Sequence, residues 1–221
     1  MKADVKFDLR PIQRAIKQLQ PHVKKSRREL TEQAAKGFVT TMMEITPPAG
    51  KGRRGNAAKK VGEAAIQHDL GRVMMPVRTR GNANLADPKE IHDRFRDLRT
   101  GRINPRNLKH PYPVDASALR AFQKELIARV GKLAGGWNAG AAKLGARVPA
   151  WVSRQGAGRG AMSVLDSIRQ FRITLINAVK YVTSVSDYDR RIQSAITIQA
   201  NKMRRQAEFL LARALKRAGW R

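Results

Sequence analysis

Glycine-rich segments are the first residues whose spacing could carry chemistry, because such loops can bind phosphate through their backbone amides. Gly156, Gly158 and Ala161 match the bare spacing of a dinucleotide-binding fingerprint. No parallel-strand pattern precedes them, and no acidic residue follows about twenty positions later to hold a ribose. The segment from Gly50 to Gly52 lacks the spacing and the Ser/Thr of a P-loop. We therefore interpret both segments as surface loops.

The titratable side chains do not group into a catalytic or metal site. The four histidines are scattered without a helical ligand spacing, and the absence of cysteine excludes thiolate sites. Glu90, Asp93 and Asp97 alternate with arginines, which is typical of a solvated helix face with ion pairs. Ser163 and Ser167 have no base nearby to activate them. We expect no enzyme, cofactor or metal; a nuclease-like fold with ungrouped acids is the enzymatic alternative.

Net charge is the strongest chemical signal in the chain. The 221 residues include 45 Lys+Arg and 17 Asp+Glu, a net charge of +28. Self-repulsion makes such an excess costly unless an acidic partner is near, such as nucleic acid, an anionic membrane or an acidic protein surface. No apolar run is long enough to span a bilayer, and the N terminus has no signal-peptide pattern. We therefore expect a cytoplasmic protein without a membrane partner.

Two stretches concentrate the basic residues, one around a glycine-rich loop and one on the C-terminal helix. Contacts between Lys/Arg and phosphates give affinity without sequence preference. Aromatic residues form only 5% of the chain and do not interleave with the basic stretches, which disfavours a stacking platform for single strands. No zinc-finger, basic-zipper or helix-turn-helix pattern is present. The candidate nucleic-acid-facing residues are Lys51, Arg53, Arg54, Lys59, Lys60, Arg204 and Arg205.

The elements that position these residues are clearest near the C terminus. Apolar residues such as Phe171, Ile173 and Leu175 alternate with polar ones, so residues 171–185 are predicted to form one strand or two short ones. From residue 192 the apolar positions recur every three or four residues, which predicts a long amphipathic helix. Gly219 is expected to end that helix.

The N-terminal part of the chain predicts a short strand at residues 5–9, followed by helices separated by prolines. Pro11 suits the first turn of a helix, and Pro21 is expected to kink or restart it. A longer amphipathic helix should end at Thr46, because a residue before proline leaves the helical region. A third helical pattern is closed by Pro76.

The middle of the chain is rich in proline, asparagine and arginine. Asp87 is the predicted N-cap of a short helix over residues 88–98. Residues 101–113 are predicted to form an extended arm ordered by a partner, because each proline removes a backbone donor. Asp115 can cap a further helix that runs to Gly135.

The order of these elements resembles the small neck, tail-completion and minor tail proteins of tailed bacteriophages. In that family a helix ending in a turn with proline and glycine precedes strands that end in an N-x-x-x-Y type motif and a C-terminal helix. The segments EITPPAGKGRRG and NAVKYVTSV carry the resemblance, which covers roughly residues 1–77 and 136–221. The matching positions are Thr46, Pro47, Gly50, Asn177 and Tyr181.

The resemblance implies an α+β fold, a structural position in the neck or head–tail joint, and no catalysis. We expect a single domain over residues 1–221, with a small antiparallel sheet packed against long amphipathic helices and an extended middle insertion. The N-terminal strand and helices occupy residues 1–77, the arm and insertion helix 78–135, and the loop, strands and C-terminal helix 136–221.

A virion protein of this kind is expected to form a ring with copies of itself and to contact other phage connector or tail proteins. Its positive charge would face packaged double-stranded DNA or acidic partner rings, in the virion and, during assembly, in the host cytoplasm. The alternative is a sequence-independent basic nucleic-acid-binding protein. Because a ring needs surfaces that pair with each other, the candidate subunit contacts are Trp137, Trp151, Trp220 and Tyr112.

Overall fold

Helices account for most of the chain, and two small sheets accompany them, which confirms the expected α+β class. One sheet is a parallel pair and the other an antiparallel pair. The computed structural model describes residues 8–46, 48, 55–78, 85–97, 103–105, 108–156, 160–167, 171–179 and 188–218.

The elements follow one another along the chain, and a short 3-10 turn, Gln20–His22, separates the first two helices. The helices and strands are α1 Arg10–Leu19, α2 Arg27–Ile45, α3 Gly55–Gly71, β1 Met74–Val77, α4 Pro88–Phe95, β2 Tyr112–Asp115, α5 Ala116–Ala128, α6 Lys132–Gly135, α7 Asn138–Lys143, α8 Ala150–Ser153, β3 Gly160–Asp166, β4 Phe171–Asn177 and α9 Tyr188–Arg217.

The N-terminal helices begin and end where the capping residues predict. Pro11 lies in the first turn of α1, and the 3-10 turn follows at Pro21. Ser26 and Glu29 form a capping box at the start of α2, with the Ser26 backbone N–H donating to Glu29 Oε2 at 2.7 Å. Thr46 ends α2 and its hydroxyl donates to the Met42 carbonyl at 2.6 Å. The strand predicted at 5–9 lies mostly outside the described residues.

Helices α1, α2 and α9 pack together into one helical layer. Gly37 on α2 lets the Gln199 side chain of α9 come close, because a Cβ at Gly37 would overlap the glutamine amide. The predicted long C-terminal helix is confirmed as a central element, although its expected stop at Gly219 lies outside the described residues. The buried residues of this layer are Ala15, Ile16, Leu19, Leu30, Ala34, Ala200, Met203 and Ala207.

The antiparallel hairpin of β3 and β4 packs on α2 and α7 beside the largest core cluster. Its register places Gly160 opposite Asn177 and Asp166 opposite Phe171. The alternation predicted for β4 is confirmed, since its odd positions are partly buried and its even positions exposed. The sequence patterns do not identify β3, because it begins at Gly160, at the end of the segment that we interpret as a loop.

A third cluster contains the parallel pair β1–β2 together with α3, α4 and α5. Its register aligns Met74 with Tyr112 and Val77 with Asp115. Asp87 and Asp115 cap α4 and α5 as predicted: Asp87 accepts a hydrogen bond from the Lys89 N–H, and Asp115 accepts from two backbone N–H groups of α5. Strand β2 and helices α4 and α5 lie within the middle insertion expected at residues 78–135, whereas α3 and β1 belong to the preceding segment, 1–77.

The prediction that residues 101–113 form an extended arm is wrong for the described part of that segment, residues 103–105 and 108–113. Ile103 is buried and pairs with Arg96 across an isolated bridge, and Leu108 packs against the third cluster. Pro113 lies within β2, where a two-stranded sheet tolerates a residue without a backbone donor. The described part of this segment belongs to its own subunit's core.

The prediction of one continuous helix from Asp115 to Gly135 is also wrong. Helix α5 ends at Ala128, and Gly131 adopts a left-handed conformation with φ of 94° before α6 begins. A Cβ at Gly131 would lie 2.8 Å from the Trp151 ring. The break therefore exists because the chain must turn tightly against an aromatic side chain.

Candidate nucleic-acid interface

The longest helix carries a strong excess of positive charge. Helix α9 contains eight Lys/Arg and two Asp/Glu. Helix α1, which packs along α9, adds exposed Arg10, Arg14 and Lys17. The exposed residues of these two helices therefore give the helical layer a strong excess of positive charge.

Most of the exposed cations on α9 have no ion pair with the described part of the chain. Arg204 is an exception, because its guanidinium lies 3.7 Å from the Glu208 carboxylate. The others can contact phosphates or acidic side chains without first breaking an ion pair. Among the described residues, the exposed α9 cations with no carboxylate within 4.0 Å are Arg190, Lys202, Arg205, Arg213, Lys216 and Arg217.

The shifted pKa values of the described residues have local, structural causes. A side-chain hydrogen bond from Arg10 lowers the pKa of Asp8, and the same contact raises the pKa of Arg10. Hydrogen bonds from the Ser26 backbone and hydroxyl lower the pKa of Glu29. These groups cap or precede helices at the surface, so their shifts stabilise helix ends and do not mark a reaction centre.

The two predicted basic stretches lie in different parts of the fold. Lys51, Arg53 and Arg54 are outside the described residues. Lys59 and Lys60 lie on α3, which packs on α5 and α8, and Lys59 is 3.5 Å from Glu63. The other candidates, Arg204 and Arg205, are exposed on α9, which packs on α1 and α2.

Two of the predicted subunit contacts are core residues, which corrects that expectation. Trp137 and Trp151 are only 5% and 3% exposed within the single chain. The Trp137 ring packs edge-on against Phe38 at 5.7 Å between centroids. Both indoles fill the largest core cluster, so neither is available to a neighbouring subunit.

Tyr112, another predicted subunit contact, is less buried than Trp137 and Trp151. Tyr112 is half-buried in β2, with its ring 5.9 Å from that of Phe95. The Arg94 guanidinium lies 5.8 Å from the Tyr112 ring centre. Trp220 lies outside the described residues.

Asn177, one of the positions that carry the phage resemblance, lies at a junction of three elements. Its Nδ2 donates to the Leu133 carbonyl and to the Tyr188 hydroxyl, each at 2.9 Å. Its Oδ1 accepts the Val179 backbone N–H at 3.2 Å. The side chain thus ties the end of β4 to α6 and to the start of α9. Of the other matching positions, Thr46 caps α2, whereas Pro47, Gly50 and Tyr181 are not among the described residues.

Large apolar side chains remain on the surface of the chain, and the sequence patterns did not identify them. Each exposes between 37% and 65% of its area, although Leu211 lies on the predicted core face of its helix. They concentrate on the β3–β4 hairpin and on α9. The set is Leu9, Met75, Val164, Leu165, Ile176, Ile198, Phe209, Leu211 and Leu215.

A cavity of about 370 Å³ lies beside α3, α4 and α5 and mixes apolar with charged side chains. His92 in its wall is 3.1 Å from the Asp93 carboxylate and packs against the Phe122 ring. Over the described ranges, no three His, Asp or Glu side chains come together in a way that could hold a metal ion. Nor does any helix in those ranges have an apolar stretch long enough to cross a membrane.

Comparison of the chain with protein-family models, with curated proteins and with solved structures finds no match.

Proposed function

We propose that this chain is a structural virion protein of a tailed bacteriophage, which assembles as a ring in the neck, head–tail joint or tail-completion position. The observation that carries the proposal is the exposure of large apolar side chains on separate elements of one subunit. Where such side chains cluster, as on the β3–β4 hairpin and on α9, they favour an interface, and neighbouring subunits in a ring would cover them.

The β3–β4 hairpin gives the clearest example of an uncovered surface. Leu165 and Ile176 expose 50% and 48% of their area on its outer face. A two-stranded sheet also leaves backbone groups at its edges that can pair with another chain. A heterologous contact between the hairpin of one subunit and another surface of the next would close into a ring if the rotation permits.

The order of elements supports a phage assembly role. Thr46 ends the long helix α2, Asn177 ends strand β4, and the long helix α9 follows. This is the order that the resemblance to neck and tail-completion proteins implies. Neighbouring connector or tail proteins are then the expected partners beside copies of the chain itself.

The alternative function is sequence-independent binding of nucleic acid, and the exposed cations of α9 favour it. Lys202, Arg205 and Arg213 are exposed helix residues without an ion pair inside the described chain. Within a virion, the same cations would face packaged double-stranded DNA. A ring protein must contact copies of itself, whereas a simple nucleic-acid-binding protein needs no such contacts.

The test of the proposed function is to locate the protein in particles made by the system that encodes it. Mass spectrometry of purified particles should detect the chain at several copies per particle, and electron microscopy should place it in a ring between capsid and tail. A chain that is absent from purified particles but abundant in the lysate contradicts the proposal.

The salt dependence of DNA binding tests the alternative function, sequence-independent binding of nucleic acid, in a separate experiment. The logarithm of DNA affinity should fall linearly with the logarithm of salt concentration, with a slope of about 0.9 per phosphate contacted. Replacing Lys202, Arg205 and Arg213 by alanine should reduce that slope equally for unrelated sequences. Arg129→Ala is the matched control, because Arg129 is already paired with Glu125.

A further inference from the structure

A groove of about 910 Å³ lies between strand β4 and helices α1 and α9, and α2 forms its floor. Its lining residues come from both faces of β4: Phe171, Ile173 and Leu175 are half-buried, whereas Arg172 and Thr174 are exposed. Because successive side chains of a strand point to opposite faces, a groove lined by both sets follows the edge of the strand. Within the described chain that edge has no partner strand, because the sheet consists of β3 and β4 alone.

The groove also separates two of the core clusters. Phe38, Leu175 and Ile192 pack against the largest cluster, and Ile12 packs against the cluster of the helical layer. All four side chains line the groove and are only half-buried. An apolar occupant would remove their remaining surface from water and join the two clusters into one core.

Residues 1–7 are the segment of the chain that is placed to fill this groove. Leu9, which closely follows them, lines the groove and exposes 52% of its area. The Gln193 side chain on α9 donates to the Asp8 carbonyl at 3.4 Å, so residues 1–7 join the described chain beside the first turns of α9. A segment joined to the mouth of a groove competes at an effective concentration of the order of mM, which favours it over a separate peptide.

Two contacts fix the direction that this segment would take. Near the start of α9, Arg191 donates to the Ile45 carbonyl at the end of α2, at 2.7 Å. At the start of α2, the Arg28 guanidinium lies 5.2 Å from the centre of the Phe171 ring, where β4 begins. A chain leading back from Asp8 along the groove therefore passes from the end of α2 towards its start. Residues 1–7 and β4 would then run in the same direction.

The length and the pattern of the segment match the groove. The floor along Arg27–Phe38 of α2 is about 17 Å long at 1.5 Å per residue, and seven residues of a strand span about 23 Å. Apolar Val5 and Phe7 alternate with charged Asp4 and Lys6. A strand at the edge of β4 would direct the two apolar side chains into the groove and the two charged ones to the outer face.

We propose that residues 1–7 dock in this groove as a third strand beside β4, parallel to it, and complete the core of their own subunit. The charges on the outer face agree with this arrangement. Placing Lys6 beside Thr174 brings Asp4 next to Arg172, and opposite charges on neighbouring strands attract. The proposal goes beyond the proposed function, because it concerns the interior of one subunit.

The test uses disulfide formation in the full-length protein, whose sequence contains no cysteine. Lys6→Cys combined with Thr174→Cys places two thiols on neighbouring strands, which lie about 4.8 Å apart and within reach of a disulfide. Oxidation of dilute protein with copper phenanthroline should therefore remove both free thiols, measured as loss of maleimide labelling. On a non-reducing gel the product should remain a monomer.

The matched control is Lys6→Cys combined with Ser163→Cys. Ser163 pairs with Thr174 on the hairpin and is also exposed, but it lies one strand farther from the groove. Two strand spacings amount to about 10 Å, which is too far for a disulfide. The control should therefore keep both thiols reactive under the same oxidation.

A second variant tests the apolar contacts without depending on strand register. Val5→Asp combined with Phe7→Asp should speed hydrogen exchange of the β4 amides, because the charged side chains would not enter the groove. Lys2→Asp combined with Lys6→Asp is the matched control, since it places the same residues at the alternate positions of the segment. It should leave the exchange of β4 unchanged.

Two outcomes overturn the proposal. A disulfide between two chains, seen as a dimer on the non-reducing gel, would identify a second copy as the occupant of the groove. Equal thiol loss in both cysteine pairs, together with unchanged β4 exchange in the Val5 and Phe7 variant, would show that residues 1–7 do not fill it. Neither assay reads ring formation, and Leu165 and Ile176 lie on the outer face of the hairpin, so failure here is distinguishable from failure of the proposed function.

Discussion

The Trp137 indole N–H donates to the Tyr188 hydroxyl at 3.0 Å, joining residues that are 51 positions apart in the sequence. Tyr188 begins α9, and Trp137 lies between α6 and α7. Asn177 donates to the same hydroxyl oxygen. One buried phenol therefore holds the long helix, the hairpin and the α6–α7 turn in register.

Tyr188→Phe should destabilise the subunit, because Trp137 loses its buried acceptor. Leaving a buried donor unsatisfied costs about 1–3 kcal/mol. Urea unfolding followed by tryptophan fluorescence measures the free energy of unfolding. The control is Tyr112→Phe, since that half-buried residue's hydroxyl makes a long contact of 3.5 Å with Arg94. Equal stability of the two variants would contradict the proposed role of Tyr188.

Gly136→Ala should also destabilise the subunit. A methyl group at Gly136 would overlap the Asn177 side chain, which is fixed by its hydrogen bonds to Leu133 and Tyr188. We expect a loss of about 1–3 kcal/mol, typical of overpacking, in the free energy of unfolding. Gly71→Ala is the matched control, because a Cβ at that helix position meets no atom within 4 Å. It should leave stability unchanged or slightly raise it.

The capping box of α2 makes stability depend on pH. Because Ser26 lowers the pKa of Glu29 below its ordinary value of 4.5, the ionised carboxylate stabilises the folded state. That contribution is present above pH 4.5 and is lost as the pH falls through the folded-state pKa. Glu29→Gln should therefore lower the melting temperature at pH 7, and the difference should shrink as the pH falls through the lowered folded-state pKa and the carboxyl group becomes protonated. A difference that stays constant with pH would contradict this account of the cap.

The segment before α5 should be protected from solvent even in the isolated subunit. The Tyr112 amide donates to the Val73 carbonyl at 2.9 Å, and Val114 is fully buried. Hydrogen exchange at Tyr112 and Val114 should therefore be slow in the free protein, comparable to that of β4. Exchange as fast as that of an unfolded peptide would instead support a partner-ordered arm.

Local signals in the sequence predicted several helix boundaries but not all of them. Pro76, expected to close the third helix, lies inside β1, and that helix ends at Gly71. Proline, aspartate and threonine determine backbone geometry through the residues next to them, so Pro11, Asp87, Asp115 and Thr46 mark boundaries that the structure confirms. The alternation in β4 was equally readable, since a half-buried strand has a period of two.

Long-range features could not be predicted from the same signals. The parallel pairing of β1 with β2 joins segments that are far apart in the sequence, and Pro113 argued against a strand there. We expected Trp137 and Trp151 at subunit contacts, which was wrong, because the residues around them do not distinguish a core indole from one at an interface, and the structure buries both. Leu211 and Leu215 are exposed although they follow the same three- and four-residue spacing as the buried residues of α9. The spacing alone therefore does not separate the covered part of α9 from the uncovered part.

The most direct test of the central claim is the oligomeric state of the full-length protein, with and without its exposed apolar side chains. Sedimentation equilibrium over a wide concentration range should show association beyond a monomer. Replacing Leu165 and Ile176 by serine should weaken that association while circular dichroism stays unchanged. A protein that remains strictly monomeric at every concentration, with or without these changes, would contradict assembly through its exposed apolar surfaces.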